Sequence, residues 1–119
     1  MPWEFDNKLP IFKQIVETLI VRIIKGDYQP GDKLDSVRDL AVEAGVNPNT
    51  VQRALVEIEQ TGLLETKRGD GRYVTENRET ILRIKQAYIE KNTAEFLAKM
   101  SEFGFQKDEI LHIIDKTTM

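Results

Sequence analysis

Asn49, Thr50, Gln52 and Arg53 crowd together just behind the phrase Val46-Asn47-Pro48. Each of these side chains can hydrogen-bond to a nucleic acid. The amides of Asn49 and Gln52 present a donor and an acceptor side by side, the pair that binds the adenine edge bidentately. The Thr50 hydroxyl suits a phosphate oxygen, and free N–H groups at a helix start attract phosphate as well. Arg68 and Arg72 flank the glycine-containing turn Arg68-Gly69-Asp70-Gly71. Glycines permit close backbone approach, so two guanidinium groups beside them fit a groove edge. Read without DNA, Asn49 and Thr50 are ordinary first-turn residues, and Arg68 and Arg72 keep a hairpin soluble.

Catalytic chemistry has little to work with. The chain has one histidine, His112, and no cysteine, so a thiolate metal site is excluded. His112 sits among Leu111, Ile113 and Ile114, a setting for a packed or partly exposed imidazole rather than a metal ligand. Nucleophile motifs and phosphate loops are missing, and the carboxylates are scattered at solvated spacings. No enzyme, no cofactor and no metal is expected.

The elements that must hold the polar groups follow from periodicity. Leu9-Pro10 opens a first helix, proline suiting a helical first turn. Ile11, Ile15, Leu19 and Ile23, with Phe12, Val16, Ile20 and Ile24 beside them, predict one wide buried stripe. Tyr28 to Asp32 is a turn around Pro30-Gly31. Ser36 and Asp39 form a capping box for a short second helix, with Val37, Leu40 and Ala41 facing inward. After Ala44-Gly45-Val46, Asn47 caps a third helix with Pro48 at its first position. Its apolar stripe is Val51, Ala54, Leu55 and Ile58, which leaves the polar cluster on the other side. Leu63–Lys67 and Arg72–Thr75 predict a β-hairpin. From Glu76 onward the chain is expected to be helical in two or three pieces, broken at Gly104, with Ile81, Ile84, Tyr88, Leu97, Met100, Ile110 and Ile114 as apolar positions. Trp3, Phe5 and Phe12 are read as packing or arm residues.

Composition sets bounds and argues mildly against a polyanion partner. The 119 residues carry 17 basic and 20 acidic side chains, a net charge of −3. Residues 1–76 hold 10 basic against 13 acidic groups, and the remainder holds 7 of each. A DNA reader needs cations only where it meets phosphate, so pattern rather than charge carries the case. The first ten residues lack a secretory pattern, and Ile11–Ile24 is too interrupted by polar residues to span a bilayer. The expected location is cytoplasmic, with no membrane partner.

The segment PGDKLDSVRDLAVEAGVNPNTVQRALVEIEQTGLLETKRGDGRYV resembles the DNA-binding signature of GntR-type bacterial regulators. Those read P-G-x-x-L-P-S-x-R-x-L-A, then G-V-x-x-x-T-V-x-x-A-L, G-L and G-x-G-x-x-V. With the upstream LPIFKQI, the likeness runs from about Leu9 to Val74. The short remainder and the V-N-P-N-T phrase are similar to the YtrA subfamily, whose members carry a small helical dimerisation tail. The resemblance implies a DNA contact at Arg38, at the helix start Asn49–Thr50, and at the wing-tip Gly69. This chain departs from the pattern at Pro48 and Gln52, where many relatives have arginine, and at Asp35, where the usual residue is proline.

Together these readings predict a mainly α fold with a small β-hairpin: a winged helix-turn-helix over residues 1–76 and a helical dimerisation tail over 77–119. The expected function is a sequence-specific transcriptional regulator, a repressor that binds a roughly palindromic operator in double-stranded DNA as a homodimer. The DNA-binding candidates are Arg38, Asn49, Thr50, Gln52, Arg53, Arg68, Gly69 and Arg72. A small-molecule effector of unidentified chemistry is compatible with the resemblance, which leaves the inducing signal open. The rival reading is a winged helix serving protein–protein association, supported by the acidic balance.

Overall fold

A turn at residues 7–9 and then Pro10 lead into α1 (Ile11–Ile24) of the computed structural model, which describes residues 3–119. The fourfold spacing of its apolar residues buries Ile15, Leu19, Ile20 and Ile23. The other four apolar positions are less buried than their spacing predicts. Ile11, at the helix start, is 44% exposed, and Phe12, Val16 and Ile24 are half-buried. Helix α2 (Val37–Ala44) starts where the Ser36 hydroxyl accepts from the Asp39 N–H, the Ser36 half of the expected box. It stops at Gly45, whose φ of 74° lies in the left-handed region that costs glycine nothing. Two residues later Asn47 caps α3 (Pro48–Gln60) by accepting from Asn49 N–H at 2.8 Å. Val51, Ala54, Leu55 and Ile58 are all buried, and α3 packs against both α1 and α2.

Strands β1 (Leu64–Lys67) and β2 (Gly71–Val74) pair antiparallel, with Leu64 opposite Val74 and Thr66 opposite Arg72. Each is four residues long, so Leu63 and Thr75 of the expected hairpin fall outside the strands. Thr75 N–H still donates to Leu63 O at 2.9 Å. The segment after the Pro30-Gly31 turn pairs with the other edge of β2. Leu34 N–H donates to Arg72 O and Val74 N–H to Asp32 O, both at 2.8 Å, and Gly31 N–H donates to Val74 O at 2.9 Å. This third row covers the backbone edge of the wing, an edge that would otherwise be open to another chain. Leu34, Leu63, Leu64 and Val74 join the buried core under α3.

The chain divides into two compact units, residues up to Arg83 and Ile84–Met119. Asn77 caps α4 (Arg78–Glu102), accepting from the N–H groups of Glu79 and Thr80. The first residues of α4 belong with the first unit. In the second unit, Gly104 N–H donates to Ser101 O and Phe105 N–H to Met100 O, the paired bonds of a Schellman ending. Helix α5 (Lys107–Lys116) follows, with the Glu109 carboxylate accepting from Gln106 N–H. The expected helical remainder is thus two helices broken at Gly104. Between them α4 and α5 bury one side chain, Ile110, at 8% exposure. No helix among the described residues is long and apolar enough to cross a membrane.

Candidate nucleic-acid interface

Successive residues of a helix point about 100° apart, and that spacing divides the polar cluster of α3. Asn49, Gln52, Arg53 and Val56 form the face opposite Val51, Leu55 and Ile58, and all four are exposed. Gln52 leans toward the wing, where its Oε1 accepts from Arg72 Nη1 at 3.3 Å. Arg53 leans the other way, its guanidinium 3.7 Å from the centroid of the Phe12 ring on α1. Asn49 and Val56 lie between these two directions. Thr50 is half-buried, turned from the centre of the face toward its side.

Start and flank of the interface come from other elements. Arg38, in the first turn of α2, is exposed and makes no ion pair among the described residues. Ser36 and Val37 at the start of α2, Leu55 of α3, and Asp70, Gly71 and Arg72 of the wing line one small cavity of about 240 Å³. The α2 start, the middle of α3 and the wing therefore meet at one place. Arg68 and Gly69 are exposed at the wing tip, and the space where a Gly69 Cβ would sit is empty. Its φ of 79° still penalises any other residue there.

The ion pairs sort the cations of the first unit. Lys13, Arg22, Lys25, Lys33 and Arg72 each face a carboxylate. Arg38, Arg53, Lys67 and Arg68 do not. Among the described residues, Lys8 of the arm and Arg78 and Arg83 of α4 also make no ion pair, but Arg38, Arg53, Lys67 and Arg68 are the unpaired cations carried by α2, α3 and the wing. Lys67, stacked 4.1 Å from the centroid of Tyr73, was absent from the sequence candidates. Its signal was its place beside Arg68 at the strand end. Val56 was also passed over, because an apolar residue off the stripe reads as incidental in sequence. At 43% exposure it is an apolar spot amid a polar face.

Arg72 does not stand free beside Arg68. Its Nε donates to Glu59 Oε1 at 2.5 Å, and Thr66 Oγ1 donates to the other Glu59 oxygen at 2.6 Å. Thr66 and Arg72 are cross-strand partners, so one carboxylate on α3 grips both strands of the wing. Burial works against the charged form of Glu59, yet the Thr66 and Arg72 hydrogen bonds and the Arg72 charge hold its pKa below the ordinary carboxylate value.

A second network sits at the opposite end of the helix-turn-helix. Glu43 Oε2 accepts from Arg22 Nη2 at 2.5 Å and from Trp3 Nε1 at 2.7 Å, which strap the arm to α1 and α2. Chiefly through the Arg22 hydrogen bond, the Glu43 pKa is lowered. The Asp35 carboxylate, at the position where the resemblance expects proline, accepts from the Tyr28 hydroxyl at 3.2 Å. It thereby anchors the loop before α2.

The model of the family described as bacterial regulatory proteins, gntR family, matches residues 11–74. The HTH-type transcriptional regulator YhcF of Bacillus subtilis (strain 168), described as uncharacterized, is 36% identical over 115 residues, spanning 97% of this chain and 95% of that protein. The HTH-type transcriptional repressor YtrA of the same organism is 48% identical over 76 residues, 64% of this chain and 58% of YtrA. Among solved structures, a GntR family transcriptional regulator from Listeria monocytogenes superposes with a TM-score of 0.90 at 40% identity. That match covers 96% of this chain and 100% of the other.

Proposed function

Because the chain belongs to the GntR family of bacterial regulatory proteins, DNA-binding transcriptional regulators with a winged helix-turn-helix, we propose that it is a homodimeric repressor. Two copies joined through their C-terminal helices hold a roughly palindromic operator. In this reading residues 1–76 read DNA and residues 77–119 make the dimer. The contacts fall to Arg38 at the start of α2, to Asn49, Thr50, Gln52 and Arg53 on α3, and to Arg68 and Gly69 at the wing tip. A helix about 10–12 Å across fits a major groove about 12 Å wide. Occupancy of the operator then excludes the transcription machinery.

The observation that carries the dimer is the lone buried side chain of the second unit. Residues 84–119 contain Ile89, Phe96, Phe103, Phe105, Leu111, Ile113 and Ile114, all exposed. Ile110 closes over an apolar cavity lined also by Met100, Phe105, His112 and Ile113. So much apolar surface marks an interface, and a symmetric second copy both covers it and supplies the second half-site. Joining two weak readers raises operator affinity by about 10²–10⁴-fold through effective concentration.

Sedimentation of the L111D/I113D double variant tests this. Both side chains are exposed, so the subunit keeps its fold. The wild type should sediment as a dimer, and the variant as a monomer that binds a half-site but loses the cooperative gain on the full site. A variant that stays dimeric with full affinity contradicts the proposal.

A further inference from the structure

Glu59 spends both oxygens on the wing, one on Thr66 of β1 and one on Arg72 of β2. The Arg72 side chain is only 17% exposed, and the carboxylate at its Nε fixes the plane of the guanidinium. That plane carries Nη1 to Gln52 Oε1, 3.3 Å away and two turns upstream of Glu59 on α3. A guanidinium has donors and no acceptor, so it settles the orientation of the Gln52 amide. The oxygen must turn toward the wing, and the NH₂ branch is the one left to the outside.

We propose that Arg72 is a positioning residue which holds the Gln52 carbonyl and leaves Gln52 as a donor that reads guanine. The inference rests on the reading that the exposed face of α3 enters the major groove. Bidentate pairing with adenine needs the amide oxygen for N6–H and the NH₂ for N7 together. Arg72 occupies one of the two lone pairs of that oxygen and turns the carbonyl to the wing, so the amide does not present oxygen and NH₂ side by side to an adenine edge. Guanine offers N7 and O6, two adjacent acceptors and no donor on its major-groove edge, and the two protons of one NH₂ can engage both. Arg72 thus shapes specificity from the wing, through Gln52.

Selection of bound sequences from random DNA, with wild type, Gln52→Ala and Arg72→Met, tests the proposal. Gln52→Ala locates the base pair by erasing one preference. At that pair the wild type should favour G·C over A·T on the order of tenfold. Arg72→Met, which frees the amide oxygen, should turn the preference to A·T. Because Arg72→Met also loosens the wing, a second measurement uses wild-type protein only. Placing 7-deazaguanine at the located position removes N7 and should weaken binding several-fold. An A·T pair selected by wild type, a motif unmoved by Arg72→Met in a folded variant, or indifference to 7-deazaguanine overturns the proposal. So does a Gln52→Ala motif identical to wild type, which leaves DNA binding by the rest of the face intact. Failure of wild type to enrich any sequence overturns the groove reading itself, and this inference with it.

Discussion

The Arg53 guanidinium lies 3.7 Å from the centroid of the Phe12 ring, so a cation on the exposed face of α3 is steadied by a side chain of α1. Stacking leaves the edge of the guanidinium, where its N–H groups point, free to donate. The arrangement reduces the rotamer freedom that Arg53 would otherwise lose on meeting DNA. Phe12→Leu keeps apolar bulk and removes the π face. It should cost about 0.5–1 kcal/mol of stability and weaken operator binding less than Arg53→Ala does. A double-mutant cycle read in operator affinity checks the coupling. Strictly additive effects would mean that Phe12 does not orient Arg53 for DNA.

Arg38 supplies an unpaired charge at the start of α2, with no partner to lose inside the fold. Arg38→Ala should reduce operator affinity by about 1–3 kcal/mol and leave the thermal midpoint unchanged. Fluorescence anisotropy with labelled operator, alongside circular dichroism, separates the two effects. Unchanged affinity in a folded variant would remove Arg38 from the interface.

The wing should respond differently at its tip and its base. Lys67→Ala with Arg68→Ala should flatten the log–log salt dependence of binding by up to about two phosphate contacts. Arg72→Met should leave that slope in place and lower fold stability by about 1–3 kcal/mol, because Glu59 loses its partner. If Arg72→Met flattens the slope as the tip substitutions do, Arg72 contacts phosphate directly.

Acid should loosen the same base. The pKa of Glu59 is lowered in the folded protein, so its contribution to stability is fully present above the unfolded carboxylate value, about 4.3, and fades as pH falls through the folded value. Glu59→Gln should therefore be less stable than wild type at pH 7, and the gap should narrow as pH drops below about 4. Urea unfolding at a series of pH values measures it. A gap that stays constant with pH contradicts the assignment. Glu43, lowered chiefly by Arg22, should behave alike.

Much of this fold was legible because local rules agreed with one another. Asn47 before Pro48 and Ser36 before Asp39 announced two helix starts, and the fourfold runs of isoleucine and leucine announced α1. What escaped was non-local. Nothing in Asp32-Lys33-Leu34 signals pairing with β2, since a short polar stretch of this kind has no period of its own. By residue type alone Arg68 and Arg72 are equivalent. Only the approach of Glu59, thirteen residues before Arg72, sets the two arginines apart. The negative net charge likewise hid the unpaired cations, because most of the ion pairs, such as Lys13 with Glu57 and Lys33 with Asp70, join residues far apart in the sequence.

The salt dependence of binding to a site selected from random DNA tests the DNA-reading face most directly. The wild-type dimer should bind that site tightly, with log affinity falling linearly and steeply against log salt, as release of counterions by several phosphate contacts demands. A scrambled duplex of equal length should bind orders of magnitude more weakly. Affinity that is flat in salt, or equal for the two duplexes, would contradict a DNA-reading face and point instead to a winged helix built for protein partners.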